Sequence, residues 1–563
     1  MSGLDLRVGT YQSAIDARLA RITAARFGSR LLGRDDALWV DDAEHRKVAA
    51  NRLGWLDSPM AMQAEAANLA AFTREVVAEG FTHAVLLGMG GSSLAPEVLR
   101  LTFGVAVGAL ELTVLDDTSP AAVRAVADSH DLSRTLFVVA SKSGGTIEVV
   151  SFEKYFWEQV HALRGNSTGR AFVAITDPGT SLGALAKARG YRHTFVNAPD
   201  IGGRYSVLSY FGLVPAALLG VDIPALLASA ICERVPLDRD QGEGLRLGAA
   251  LGELALAGRD KLTLVFSPAI ASLGTWIEQL VAESTGKLGR GIVPVAEEAL
   301  AAPSAYAADR VFLAVGQPSL PNETRQALDS LSAAGHPVIH WDRAARSDLG
   351  GEFMRWEIAT ALAGAVLGVD PFDEPNVSEA KAATQTVLQR YLAEGRFPDS
   401  TPAASHGALQ AFAPSSMQVS GGDPGAWLQT LLACAEAGDY VAVLAYVHRT
   451  AERHALLEAI RHGARDISHL ATTLGYGPRF LHSTGQLHKG GPNTGLFLQL
   501  TGDEGDLAIP GEKYGFGVLH AAQAAGDFQV LESRGRRVLR VHMATEIDAG
   551  LQQLVQALQA RTP

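Results

Sequence analysis

Short apolar runs, most of them followed by a glycine- or serine-containing turn and a helical pattern, recur along this chain. A first series lies between residues 81 and 200: HAVLLGM, LTVLDD, TLFVVAS, AFVAITD and RHTFVNA. A second series contains KLTLVFSP, GIVPV, DRVFLAVG and HPVIHW, and a third contains YVAVLAYV, TTLGYG, LFLQL and RVLRVHM. Continuously apolar strands that alternate with helices indicate parallel sheets covered on both faces. The sequence therefore predicts an α/β fold with three such units, because 563 residues exceed what one hydrophobic core can organise.

The segments around these series complete the predicted organisation. Residues 1–80 carry apolar residues at helical spacing in AIDARLARITAARFGSRLL and MAMQAEAANLAAFTREVVAEG, and predict a helical segment. Residues 397–425, rich in Pro, Ser, Gly and Ala, predict a linker or a surface loop. We therefore divide the chain into an N-terminal helical segment (1–80), two α/β domains (81–240 and 241–396) and a C-terminal α/β domain (397–563).

Composition and charge exclude several classes of partner. The net charge of −12 argues against a nucleic-acid surface, because contacts to a phosphate backbone need clustered Lys and Arg. The two cysteines, Cys232 and Cys434, lie far apart and form no spaced metal motif, which suits a reducing compartment. The N-terminus has no apolar signal core, and the uncharged segment 206–221 is shorter than the roughly 20 residues of a membrane span. We expect a cytoplasmic protein that binds neither nucleic acid nor membrane.

Two strand-to-helix turns have the chemistry of an anion site. They are GMGGSS at residues 88–93 and SKSGGT at residues 141–146. Glycines let backbone N–H groups approach an anion, and the N-terminus of the following helix adds a favourable dipole. The second turn offers three hydroxyls, one ammonium and two glycines within six residues, a set that suits a monophosphate. In open parallel sheets, ligands bind at such carboxyl ends of strands.

The first turn also has a competing interpretation as a dinucleotide-binding fingerprint. Gly88 and Gly90 match its start, but the third glycine would fall at Ser93. The nearest strand-end acids, Asp116 and Asp117, lie further along the chain than that fingerprint requires. No GxxxxGK[ST] motif supports a nucleoside triphosphate. An ordinary turn without a ligand stays open for either turn taken alone.

These two turns, in this order, resemble those of the sugar isomerase (SIS) fold and specifically those of phosphoglucose isomerases. Three further segments extend the resemblance: IGGRYSVLSYFGL at 201–213, QLVAESTGK at 279–287 and LGVDPFDEPNVSEAK at 367–381. They are similar to the family's GGR(Y/F)S, ESxGK and NPFDQxGVExxK segments. Residues 397–563 match the family less well, and together with HSTGQLHKGGPN they resemble the isomerase half of bacterial transaldolase–phosphoglucose isomerase fusions. The resemblance implies tandem SIS-type (flavodoxin-like) three-layer domains.

The resemblance also implies a role for each matching residue. The substrate phosphate would be held by Gly91, Ser92, Ser141, Lys142, Ser143 and Thr146. Glu283 would be the general base between C2 and C1 of a hexose phosphate, Arg204 would neutralise charge on the sugar oxygens, and Lys381 would lie near the ring oxygen or the phosphate. Without the resemblance, Glu283 and its neighbour Glu278 would be ordinary solvated acids on an amphipathic helix. The chain departs from the family at Glu374, which replaces a Gln and would repel the phosphate unless it turned away or were protonated.

Ring opening in the family uses a histidine, and this chain offers candidates in two segments. His336 and His340 lie in GHPVIHW, which predicts a strand. HSTGQLHKGGPN, residues 482–493, has too little apolar content to be core and contains two histidines. We predict His488 as the ring-opening residue, with His482 as the second choice. A surface loop with solvated histidines is the alternative.

The resemblance implies interconversion of glucose 6-phosphate and fructose 6-phosphate, a step of glycolysis and gluconeogenesis, with no metal and no organic cofactor. It also implies a homodimer, an expectation that the additional C-terminal unit could change by replacing a subunit contact. One alternative is a glucose/mannose-6-phosphate isomerase. Another is a non-catalytic sugar-phosphate sensor, which would need the two turns but neither Glu283 nor Arg204. A dehydrogenase, the third alternative, would bind a nicotinamide cofactor.

Overall fold

The N-terminal segment is helical after one short strand. In the computed structural model, which describes residues 3–342, 345–397, 401–419 and 421–561, the segment begins with strand β1 (Leu4–Arg7). Its helices are α1 (Gln12–Ala24), α2 (Phe27–Leu32), α3 (Ala43–Ala50), α4 (Ser58–Gln63) and α5 (Ala66–Ala78). Asp42 begins α3 by accepting hydrogen bonds from the backbone N–H groups of Glu44 and His45, both at 3.1 Å. The strand was not predicted, because LDLR is short and has no continuous apolar run.

The first predicted series of apolar runs forms a parallel sheet. Its strands are β2 (His83–Leu87), β3 (Glu111–Leu115), β4 (Thr135–Ala140), β5 (Phe172–Thr176) and β6 (His193–Val196). They lie in the order β3-β2-β4-β5-β6. The helices between them are α6 (Leu94–Phe103), α7 (Pro120–Ser129), α8 (Ile147–Arg164) and α9 (Ser181–Ala188). Every residue of β4 and β5 is buried, which explains their continuously apolar sequences.

The second series forms a sheet that includes the N-terminal strand. A helical stretch leads to it through α10 (Tyr210–Leu218), α11 (Ile223–Arg234) and α12 (Glu243–Leu256). The strands are β7 (Lys261–Phe266), β8 (Val293–Val295), β9 (Arg310–Val315) and β10 (Val338–Trp341), with helices α13 (Leu273–Thr285), α14 (Asn322–Ala333), α15 (Leu349–Leu367) and α16 (Val377–Glu394). The order is β1-β10-β9-β7-β8, and β1 pairs antiparallel with β10, Leu4 facing Trp341.

The third series forms a sheet with a parallel centre and an antiparallel edge. Its strands are β11 (Ala404–His406), β12 (Leu409–Phe412), β13 (Tyr440–Tyr446), β14 (Ala471–Tyr476), β15 (Gly495–Thr501) and β16 (Arg537–His542). Its helices are α17 (Pro424–Leu432), α18 (Ala451–Ser468), α19 (Gly485–Gly490), α20 (Phe516–Ser533) and α21 (Ile547–Gln559). The order is β11-β12-β16-β15-β13-β14. The predicted linker therefore contains the edge strand β11 and its neighbour β12. Its residues 398–400 and 420 lie outside the described residues.

Hydrophobic packing joins the N-terminal helices and the first two sheets into one core. Side chains from α1, β2, α13 and α15 belong to this core, whereas one face of the third sheet has a core of its own with α17, α18 and α21. The uncharged segment 206–221 contains α10, which is buried from Phe211 to Leu218. Among the described helices, none has the length and apolar character needed to cross a bilayer. The predicted fold class, α/β with tandem parallel-sheet domains, is confirmed.

Candidate active site

A cleft of about 390 Å³ lies where the carboxyl ends of the first sheet face α13 of the second and a segment of the third domain. The predicted residues that line it are Gly91, Ser92, Ser141, Lys142, Ser143, Thr146, Arg204, Glu283 and Lys381. His482 lines it as well, and His488 does not. The structure thus brings together side chains that are far apart in sequence, from all three sheet-containing domains.

Hydrogen bonds between its own residues fix the conformation of the turn between β4 and α8. The hydroxyls of Ser141 and Thr146 lie 3.0 Å apart, and the Gly144 N–H donates to Ser141 Oγ at 3.1 Å. Gly144 has a φ of +72°, a conformation that glycine adopts without strain. The Lys142 ammonium pairs with the carboxylate of Asp177 and donates to the Pro199 carbonyl at 3.1 Å. Lys142 therefore lines the cleft with an acidic partner already beside it.

The turn between β2 and α6 touches two other parts of the cleft. A Cβ on Gly91 would lie 2.0 Å from the carbonyl oxygen of Gly203, so only glycine allows this approach beside Arg204. Gly90 has a φ of +55°, and a Cβ there would lie 2.9 Å from the carbonyl oxygen of His482. The glycines of this turn consequently serve the close contact of three chain segments as well as any anion.

Arg204 is buried and joins the second domain to the cleft through five hydrogen bonds. Its Nε donates to Ser284 Oγ at 2.8 Å, and its Nη2 donates to the carbonyls of Pro371 and Asp373 at 2.6 and 2.9 Å. Its Nη1 donates to the carboxylates of Glu283 at 3.0 Å and Glu374 at 3.2 Å. Burial alone would lower the pKa of Arg204, but these two acids outweigh it and raise the pKa. The guanidinium is therefore permanently charged and fixed in orientation.

Glu283 lies near the end of α13, a helix with few exposed residues. One oxygen accepts from Arg204, and the other accepts from Gln279 Nε2 at 3.1 Å. Burial raises the pKa of Glu283 above the ordinary carboxyl value, and the charge of Glu374 raises it further, whereas Arg204 and Gln279 oppose the shift. A buried carboxylate with a raised pKa, facing a cleft, has the properties of a general base.

Glu374 points to Arg204 within the cleft. Its side chain is 43% exposed, in contrast to 10% for Glu283. Glu374 lines the same cleft as the predicted phosphate turns, and the Arg204 guanidinium offsets part of the negative charge that it would present to an anion.

His482 reaches the cleft from the third domain and is held by a chain of polar groups. Its Nε2 lies 3.0 Å from Glu148 Oε1, and Gln523 Nε2 donates to the same oxygen at 2.7 Å. Thr118 donates to Gln523 Oε1 at 2.7 Å. Burial would raise the pKa of Glu148, but His482 lowers it below the ordinary value, so Glu148 is a carboxylate that orients the imidazole.

The first-choice histidine, His488, lies elsewhere. It belongs to α19, is 3% exposed, and its ring lies 5.9 Å from Phe480 and 5.1 Å from Phe497. Burial lowers the pKa of His488 well below its ordinary value, with Lys489 adding to the effect. The segment 482–493 is therefore not a solvated loop, because residues 483–489 are all buried, and the histidine at the cleft is His482. The structure thus brings the second-choice histidine, and not the first, to the cleft.

Several residues of the cleft escaped the sequence analysis. Gln279 donates to both Glu283 and, at 2.7 Å, the carbonyl of His482, and so connects the acid with the histidine segment. Glu148 and Asp177 stand at the start of α8 and after β5, positions that ordinary solvated acids also occupy. A hint for Glu148 was its place two residues after SKSGGT. Nothing in the sequence distinguished Gln279.

The fold and this cleft define an α/β protein with a polar site assembled between tandem parallel sheets. Comparison with solved structures agrees on the fold: a hypothetical protein from Thermus thermophilus superposes with a TM-score of 0.59 at 23% identity, covering 68% of this chain and 99% of that one. Residues 66–288 match the family model "Phosphoglucose isomerase". These residues are therefore similar to the phosphoglucose isomerase family, in agreement with the resemblance seen in the motifs.

Individual relatives carry related names. The chain is 29% identical over 367 residues to a glucose-6-phosphate isomerase of Rubrobacter xylanophilus, a span of 56% of this chain and 84% of the relative. It is 31% identical over 226 residues to a glucose-6-phosphate isomerase of Trichormus variabilis, which covers 37% of this chain and only 41% of that relative. The family match ends at residue 288, before the third sheet. The likeness of the C-terminal part to transaldolase fusions stays a prediction.

Proposed function

We propose that this chain is an aldose–ketose isomerase that interconverts glucose 6-phosphate and fructose 6-phosphate by proton transfer through an enediolate. The observation that carries the proposal is the buried Glu283, bound to Arg204 at 3.0 Å and lining one cleft with the Ser141–Thr146 turn. The names of the relatives support the same reaction. All the required acid, base and charge-stabilising groups are side chains of this protein.

Substrate binding begins with the phosphate. The hydroxyls of Ser141, Ser143 and Thr146 and the N-terminus of α8 would receive it, with Ser92 contributing from the neighbouring turn. The Lys142 ammonium would add positive charge, although it shares that charge with Asp177. Holding the phosphate away from the reacting carbons orients the sugar, which converts binding energy into correct placement.

Ring opening and proton transfer would use different side chains. His482, oriented by Glu148, would move a proton at the ring oxygen, with Lys381 nearby in the cleft. Glu283 would then carry the proton between C2 and C1, a type of catalysis that contributes about 10²–10⁴-fold. Arg204 would face the negative charge that develops on the enediolate oxygens, a stabilisation that is strongest where water is excluded.

An isomerase assay of the wild type and Glu283→Gln tests the proposal. Wild type should turn over glucose 6-phosphate and fructose 6-phosphate, and Glu283→Gln should lose at least about a hundredfold in kcat. Glu278→Gln is the matched control on the same helix: burial raises the pKa of Glu278 to about 8, so the amide replaces a mostly protonated acid outside the cleft. Hexose phosphate binding without turnover in the wild type would instead indicate a sensor.

The same assay addresses the finer alternatives. Turnover of mannose 6-phosphate at a rate comparable to glucose 6-phosphate would extend the proposal to a glucose/mannose-6-phosphate isomerase. Absence of nicotinamide binding in a fluorescence titration would dispose of the dehydrogenase alternative. We also propose, from the family resemblance alone, a homodimer and a cytoplasmic location.

A further inference from the structure

The third domain contains a cavity of about 850 Å³ at the carboxyl ends of its strands. In the strand order β16-β15-β13-β14, the chain runs from β13 outward to β14 and then returns to the other side of β13. The crevice between β13 and β15 is therefore the point where the winding direction reverses, and ligands of open α/β sheets bind at such points. The volume lies within the range of small-molecule sites.

The carboxyl end of the sheet face that lines this cavity is polar, whereas the rest of the same face packs as an apolar core against α20. Residues in register across β13, β15, β16 and β12 share a face, and two adjacent rows are Tyr446-Thr501-His542-Gln410 and Leu444-Gln499-Arg540-Phe412. Helix α20 covers this face, because the Ala524 carbonyl accepts from Gln499 at 3.1 Å and from Arg540 at 2.9 Å. The opposite face is an ordinary apolar core. A covered sheet face is expected to be apolar on both sides, so the polar rows need another reason.

Tyr446 supplies an independent sign of a ligand. Its side chain is 1% exposed, and its hydroxyl has no hydrogen-bond partner among the residues that the structure describes. A buried hydroxyl without a partner destabilises the folded chain, unless water or a ligand satisfies it. Arg540 stands on the adjacent row, with its guanidinium 4.5 Å above the ring of Phe528. Donors thus meet at the inner end of the cavity.

The outer part of the cavity offers acceptors and flat apolar walls. Asp503 and Glu504 follow β15. Glu504 is already bound by the His448 backbone N–H at 2.9 Å and by Arg453, whereas Asp503 lies 3.5 Å from His542 and remains largely exposed. Phe412 and Tyr391 line the sides. Among the described residues, four acids and two arginines line this cavity, whereas three acids and four Lys or Arg residues line the catalytic cleft. The excess of acids disfavours a phosphorylated ligand here. Donors at the inner end and acceptors at the outer end suit a ligand with hydroxyl groups, because a hydroxyl both donates and accepts. The aromatic walls suit a ring with apolar faces.

We propose that this cavity binds an unphosphorylated sugar, of monosaccharide to disaccharide size, separately from the catalytic cleft. The Tyr446 hydroxyl donates to a sugar oxygen, and Asp503 accepts from a sugar hydroxyl at the outer end. This site is distinct from the hexose phosphate site of the proposed function, and it uses residues that the isomerase mechanism leaves without a role.

Ligand-observed NMR titrations of the full chain with D-glucose, maltose and adenosine test the proposal, with saturating hexose 6-phosphate present to fill the catalytic cleft. We expect saturable binding of glucose or maltose and a Kd about three- to tenfold higher in Tyr446→Phe, which removes one neutral hydrogen bond. The control is Tyr476→Phe, because Tyr476 lies in the same domain with its hydroxyl 3.0 Å from His454, outside this cavity. Its Kd should equal that of the wild type.

Three results would overturn the proposal. They are the absence of saturable sugar binding, a sugar Kd that Tyr446→Phe leaves unchanged, and Tyr446-dependent binding of adenosine alone. Removing an unpartnered hydroxyl should leave the unfolding temperature unchanged or raised. Should that variant nevertheless fail to fold, Thr501→Val on the same row repeats the measurement, with the same expected increase in Kd.

Discussion

Replacing Arg204 by lysine tests whether the fork of the guanidinium, beyond its charge, holds the active cleft together. The side chain donates to five acceptors: two side chains of α13, and two backbone carbonyls and the Glu374 carboxylate of the 371–374 turn. A lysine ammonium keeps the positive charge but has only three donors and no planar fork. At least two of the five acceptors must therefore lose their protein partner.

The structure sets the size of the effect on stability. Leaving a buried acceptor without a partner costs about 1–3 kcal/mol. Glu374 is 43% exposed and can recruit water, so the smaller values apply to it. We expect Arg204→Lys to lower the free energy of unfolding by about 2–4 kcal/mol. Loss of a preorganised donor at a developing charge should in addition lower kcat by about 10²–10³-fold.

Urea unfolding and a coupled isomerase assay measure the two effects. Arg34→Lys is the matched control: Arg34 is 39% exposed, pairs with Asp57 and Asp200 at 2.8 Å each, and lies outside the cleft. Exposed pairs contribute at most about 1 kcal/mol, so that variant should stay close to the wild type in both measurements. Two results together would refute the reasoning: an Arg204→Lys protein that unfolds like the wild type, and a kcat within about threefold of the wild type, well short of the expected loss.

Three further variants follow from the electrostatics. Glu357 is buried without a partner among the described residues, and burial raises its pKa well above 4.5. In urea unfolding, the wild type should therefore lose stability relative to Glu357→Gln as the pH rises from 5 to 8, by at most about 1.4 kcal/mol per pH unit. A stability difference that does not change with pH contradicts this. Glu374 adds to the effect of burial in raising the pKa of Glu283, so Glu374→Gln should move the acid limb of the kcat–pH profile to lower pH, and an unmoved or higher limb would speak against the coupling. Glu148→Gln should lower kcat by about 10²-fold or more with little change in KM, and wild-type kcat in this variant would remove His482 from ring opening.

The central strands could be predicted from the sequence because burial on both faces leaves a continuous apolar run. All the predicted runs, from HAVLLGM to RVLRVHM, became strands β2 to β10 and β13 to β16. Strands β1, β11 and β12 were missed: β1 and β11 are edge strands, β12 lies next to β11, and all three pair antiparallel. Edge strands are short and polar, so they have neither the length nor the period that identifies a strand.

The predicted site was limited in a different way. Residues in strand-to-helix turns, such as Ser141 and Thr146, carry local signals that survive without tertiary information. The choice between His482 and His488 depends on how α19 lies between two domains. That packing brings His482 to Glu148, and not His488, which lies six residues further along the chain. Gln279 gains its position from two neighbours distant in sequence, one of them the carbonyl of His482, which no local pattern encodes.

The pairing of β1 with β10 has a consequence for synthesis on the ribosome. Leu4 to Arg7 are translated long before their hydrogen-bonding partners, which are residues 338–341. Until those residues have been translated, the second sheet cannot be completed and the nascent N-terminal strand stays available to other unpaired edges. Such distant pairing is closed late and slowly, so this seam should be the last part of the second sheet to form in a growing chain.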